Sequence, residues 1–106
     1  DIKVFKNEID YNIDTKNFID KFNSQYNSKS IFLLGIKTTK PLIVLCVTKD
    51  LAKDAINAGL VVKEIAKAIG SGGGGPNHFG TAGFSDKRIY DKAFSNFLIF
   101  LKKIHV

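Results

Sequence analysis

The stretch Gly70-Ser71-Gly72-Gly73-Gly74-Gly75-Pro76 holds five of the chain's nine glycines and constrains the fold more than any other feature. It follows directly on a segment that reads as a helix, Asp54 to Ile69. Glycine loses the most backbone freedom on folding. A run of it persists where the backbone needs positive φ, or where another body approaches the bare main chain. Gly70 alone suffices to end the helix. The other glycines need a second reason. Close approach of a polyanion backbone to unhindered N–H groups is the leading one, with a ligand-free flexible connector as the alternative.

On either side of this run the periodicity is regular. Ile2, Val4 and Phe5 among Lys3 and Lys6 predict a strand ending near Asp10. Asp14 can cap a short helix with Phe18, Ile19, Phe22 and Tyr26 on one face. The apolar runs Ile31–Ile36 and Leu42–Thr48, joined through Thr38-Thr39-Lys40-Pro41, predict a β-hairpin. In the Asp54–Ile69 helix, Ala55, Ala58, Val62, Ile65, Ala66 and Ile69 form the apolar stripe. Phe79 to Phe84 reads as a short strand. Ser85 or Asp86 can cap a last helix, whose core face is Tyr90, Ala93, Phe94, Phe97, Leu98, Leu101 and Ile104. The order is β-α-β-β-α-(β)-α. This predicts one α/β domain over residues 1–106, a mostly antiparallel sheet flanked by helices.

Composition narrows the function. The 106 residues suffice for one core. No apolar run approaches the roughly 20 residues of a membrane span, so no membrane partner is expected. The chain opens at Asp1 and contains no Met, which reads as a piece excised from something longer. The lone Cys46 lies within an apolar run and reads as a buried, inert thiol in a reducing cytoplasm. The formal net charge of +6 favours an anionic partner. The basic residues are 15 Lys and the single Arg88, and lysine suits phosphate contact better than base readout. An AT-rich coding genome explains the same lysine bias without a function.

The glycine run is not a Walker-type loop, because Pro76 and Asn77 stand where Gly-Lys-Ser/Thr would open a helix. Nor is it a dinucleotide fingerprint, which follows a strand. The candidate nucleic-acid contacts are Gly72, Gly73, Gly74, Gly75, Asn77 and His78 as donors, with Lys63, Lys67, Lys87 and Arg88 supplying the field. Lys67 also complements the helix dipole at its end, whereas Lys87 and Arg88 begin a helix, where cations are mildly unfavourable. His78 has no carboxylate near it in sequence to make it a general base. Phe79 either plugs the core under the loop or stacks on a base. His105 reads as a frayed terminal residue. No catalytic set and no metal-ligand cluster is visible.

Four segments together resemble a known family. They are Val47-Thr48-Lys49-Asp50-Leu51, then Asn57-Ala58-Gly59-Leu60-Val61-Val62-Lys63-Glu64-Ile65-Ala66, then the glycine run with Pro76, then Phe79-Gly80-Thr81-Ala82-Gly83. The series is similar to the DHHA1 domain, the globular part of the C-Ala domain that ends alanyl-tRNA synthetases. DHHA1 modules also end DHH-type phosphoesterases, where the glycines are followed at once by a substrate-holding His. Here Pro76 follows and His78 is displaced by two, which favours the synthetase branch. The chain departs from many synthetases at Gly75, where they carry Arg, and at Phe84, where they carry Gly.

The resemblance implies a non-catalytic module that contacts the elbow of tRNA(Ala) and so supports alanylation and editing. It implies no cofactor for this segment. ATP, Mg and Zn would belong to the parent enzyme, and homodimerisation to the full-length parent. The competing readings are a phosphoesterase substrate lobe and a dimerisation module.

Overall fold

The computed structural model describes residues 1–105; the side chain of His105 and the whole of Val106 lie outside that description, and with them the expectation for His105. The elements are β1 (Lys3–Ile9), α1 (Thr15–Gln25), β2 (Ser30–Ile36), β3 (Leu42–Val47), α2 (Lys49–Asp54), α3 (Ala58–Ala68), β4 (Gly73–Gly74), β5 (Phe79–Gly83) and α4 (Lys87–His105). The strands form one five-stranded sheet in the order β1-β2-β3-β5-β4. β1 and β2 run parallel, which requires the crossover through α1. The remaining neighbours are antiparallel, so the sheet is mixed and mostly antiparallel.

Alternation along β2 and β3 feeds two cores. Ile31, Leu33, Ile43, Leu45 and Val47 face α2, α3 and α4, where Val62, Ala66, Tyr90, Ala93, Phe97 and Leu101 meet them. Leu34, Ile36, Val44 and Cys46 face α1 and its Ile19 and Phe22. Asp14 caps α1, accepting from the Asn17 N–H at 3.1 Å. Asp86 likewise accepts from the Ile89 N–H at 2.8 Å in the first turn of α4. Gly35 of β2 lies directly under Tyr90 and Phe94, so α4 sits close enough for the Tyr90 hydroxyl to reach Glu8 of β1 at 2.7 Å.

Two expectations need correction. The helix expected from Asp54 to Ile69 is broken: α2 ends at Asp54, and α3 starts afresh at Ala58. Asn57 is its N-cap, its side chain accepting from the Leu60 N–H at 3.0 Å. Ala55, expected on the buried stripe, is exposed in the break. The glycine run is also more than a connector, since Gly73 and Gly74 pair with Ala82 and Thr81 as edge strand β4.

Candidate nucleic-acid interface

The glycine run begins with a helix stop. Gly70 takes φ +75°. Its N–H donates to the Lys67 carbonyl at 3.1 Å, and the Ser71 N–H donates to Ala66 at 2.8 Å. This is the Schellman pairing, which satisfies the last carbonyls of α3. The chain then doubles back antiparallel to β5.

Most of the remaining glycines answer to the protein's own packing. A Cβ on Gly73 would stand 2.7 Å from Ala82 Cβ and 3.1 Å from Val62 Cγ1; one on Gly80 would stand 2.7 Å from Val62 Cγ2. Helix α3 therefore lies on β4 and β5 with Val62 as the contact. Gly75 takes φ +154°, and a Cβ there would meet the Phe79 carbonyl at 2.5 Å. Gly59, in the first turn of α3, is pressed against the Gly75 and Pro76 carbonyls. Those contacts use the helix's free donors. The Ala58 and Gly59 N–H groups give hydrogen bonds to Asn77 and Pro76 at 2.8 and 3.0 Å, while Leu60 and Val61 are served by Asn57. The N-terminus of α3 thus has its donors engaged internally and is no anion site.

Within the run, Gly72 alone has neither a packing nor a backbone reason, while Gly74 faces open space but is fixed by its φ. A side chain at Gly72 or Gly74 would meet nothing within 4 Å, and Gly74 takes φ +154°. Gly74 lies on the open edge strand, half-buried, and the exposed Gly72 shortly precedes it. Helix α3, which packs on β4, carries the exposed Lys63 and Lys67. They repeat at four-residue spacing from Gly59, the residue that abuts the run, so they share its stripe of α3. The other side of α3 turns Leu60, Val61, Glu64 and Ile65 toward α4.

The remaining predicted contacts are separated by the sheet. The exposed Asn77 and half-buried His78 stand beside Val47, whose N–H donates to the His78 carbonyl at 2.9 Å. The His78 ring meets Phe79 edge-on at 5.0 Å between centroids. Phe79 itself packs partly buried against the α1-side core, as the core-plugging alternative expected. Lys87 and Arg88 open α4 after Gly83, which pairs with Leu42 at the far end of β3 from Val47. There Lys87 stands with Glu8, Asp10, Tyr11 and Lys37, so its charge is partly offset by acidic neighbours. Cys46 is buried, and burial pushes its thiol up to about 12, consistent with an inert group. Among the described residues no helix is long and apolar enough to cross a membrane.

Asn57 and Gly59, which help build this edge, were not among the candidate contacts. A glycine inside an apolar helical pattern was the available signal, and Asn before it marked the cap.

Residues 3–104 match the DHHA1 domain. The chain is 36% identical over 83 residues to the alanine–tRNA ligase of Wolinella succinogenes, covering 78% of this chain and 9% of that protein. It is 36% identical over 93 residues to the alanine–tRNA ligase of Campylobacter jejuni subsp. doylei, covering 87% of this chain and 10% of the relative. The chain thus spans about a tenth of the length of these relatives. Among solved structures, the C-Ala domain from Aquifex aeolicus alanyl-tRNA synthetase superposes with a TM-score of 0.72 over 92% of this chain and 88% of that one, at 20% identity. That likeness concerns the fold.

Proposed function

This chain belongs to the DHHA1 domain family, and we propose that it serves as the tRNA-contacting module at the C-terminal end of an alanyl-tRNA synthetase. The reading rests on one observation above the others. Beside the sheet's open edge, Gly72 keeps a bare backbone that neither packing nor a positive φ requires, and helix α3, which lies on that edge, carries the exposed Lys63 and Lys67. A surface of that kind meets a phosphodiester backbone closely, with lysine supplying attraction and no base-edge code. Folded RNA is read largely by shape and by its backbone, which suits contact with the outer corner of tRNA(Ala). In that role the module helps the parent's charging and editing centres handle one tRNA. The chemistry that uses ATP, magnesium and zinc belongs to the rest of the parent, and the setting is the cytoplasm.

Titrating isotope-labelled chain with tRNA(Ala) tests the reading by amide shifts. It expects the largest changes at Gly72 to Gly74, Asn77, His78, Lys63 and Lys67. Changes confined to β1 or to α4 overturn it.

A further inference from the structure

The opposite edge of the sheet carries a second, independent feature. β1 is the outermost strand there and pairs with β2 over its whole length. The Lys3 N–H donates to Lys29, and the Ile9 carbonyl accepts from Lys37, both at 2.8 Å. The odd-numbered residues of β1 thus turn their main-chain groups inward to β2. Val4, Lys6 and Glu8 turn theirs outward, leaving an unpaired row of alternating donors and acceptors. The side chains of these same residues point to the α4 face. Val4 packs against the core on that side, and Glu8 is held by Tyr90.

Beside this row runs a groove of about 500 Å³ between β1 and α4, lined by Val4, Lys6, Leu98, Ile99, Leu101 and Lys102. Its floor is apolar, and Ile99 on its rim is 54% exposed. Its two charges are both positive, and no carboxylate lines it among the described residues.

We propose that this edge accepts an extended, acidic peptide segment as an additional strand, with a carboxylate opposite Lys6 and an apolar side chain two positions away over Val4 and Leu98. The two-residue spacing follows from strand alternation, which sets Val4 and Lys6 on one face. Main-chain pairing supplies the binding energy, and alternate side chains supply the specificity. A nucleic-acid backbone fits less well, since phosphodiesters offer acceptors only and leave the Val4, Lys6 and Glu8 carbonyls without donors. A second copy of the chain paired with Lys6 opposite Lys6 sets like charges together, and self-association in sedimentation decides the register that sets Lys6 opposite Glu8. The site lies across the sheet from the glycine edge, so it stands or falls separately from the tRNA reading.

The test is a titration of isotope-labelled chain with a short blocked peptide alternating threonine with valine and aspartate. The largest amide shifts are expected at Val4, Lys6, Glu8 and Leu98 to Lys102. Lys6→Glu, at an exposed position, weakens binding roughly tenfold, and a peptide with lysine in place of aspartate recovers it. Lys6→Pro removes an outward N–H without touching the β1–β2 ladder and abolishes binding. The proposal is overturned if millimolar peptide leaves the β1 amides unmoved, or if a short single-stranded RNA shifts them more strongly. It is equally overturned if the chain alone self-associates in sedimentation and Lys6→Glu abolishes that association, which assigns the edge to a second copy.

Discussion

Gly59→Ala separates two explanations of the glycine-rich region, because local and tertiary effects have opposite signs. In a helix interior the change from glycine gains about 1 kcal/mol. At this position, however, an alanine Cβ would lie 2.5 Å from the Gly75 carbonyl carbon and nearer still to the Gly75 and Pro76 oxygens. The obstacle is backbone, which cannot rotate away. Overpacking of this kind costs about 1–3 kcal/mol. Pushing the loop off also takes the acceptors from the Ala58 and Gly59 N–H groups, at about 1 kcal/mol each. The balance is a loss of about 3 kcal/mol, or a fall in Tm of about 15 °C for a domain of this size. Gly72→Ala is the control. It meets nothing within 4 Å and is expected to lie within about 0.5 kcal/mol of the parent chain. Urea denaturation of the three proteins, with m-values compared, reads both. If Gly59→Ala equals or exceeds the parent in stability, the close contact between α3 and the glycine run is wrong.

Further predictions concern groups away from that contact. Tyr90→Phe removes the hydroxyl donor to Glu8 and costs about 1 kcal/mol in urea denaturation. Burial and the Glu8 carboxylate raise the Tyr90 pKa, and burial raises that of Cys46. The folded state therefore holds both protons more tightly. Their contribution is complete below the unfolded values of roughly 8.5 for the thiol and 10 for the phenol, and is lost as pH rises beyond them. Stability measured against pH should fall on the alkaline side, less steeply in Tyr90→Phe. Cys46 should react with a thiol reagent only as fast as the chain unfolds; a rapid reaction in the native state contradicts its burial. Lys29 holds φ +47° while its N–H donates to Asp50 at 3.0 Å. Lys29→Gly relieves that conformation and should gain about 1 kcal/mol in the same denaturation assay.

Where signals were local, the sequence was readable. Asp14 and Asp86 announce α1 and α4 because a capping carboxylate acts on its own first turn. The β2–β3 hairpin follows from two apolar runs around Pro41. The break at Ala55 was masked because Leu51, Ala52, Ala55 and Ala58 continue a helical apolar spacing across it, with the Asn57 and Gly59 signals standing just beyond. β4 was illegible for a different reason. Glycine has no strand preference, and Gly73-Gly74 becomes a strand only because β5 lies beside it. The candidate site was legible as a composition, a glycine run near lysines. Its division into glycines required by Val62, Gly59 and Phe79 and glycines left open was not, since it depends on contacts far apart in the chain. The separation of Lys87 and Arg88 from Asn77 and His78 likewise follows from β5, whose length carries the chain from one end of the sheet to the other.

The proposed function turns on whether the open glycine edge binds folded tRNA. The most direct measurement is a fluorescence-anisotropy titration with tRNA(Ala), beside an unstructured RNA of equal length, at two salt concentrations. It compares the parent chain with Gly72→Leu and Lys67→Ala. Gly73 is unsuitable for such a probe, because its replacement collides with Ala82 and Val62. Tighter binding to the folded tRNA, weakened by salt, is expected. A loss of affinity in Gly72→Leu with unchanged stability is expected with it, and a salt slope reduced by roughly one in Lys67→Ala. Equal binding to both RNAs, or an unaltered affinity in Gly72→Leu, contradicts the proposed function.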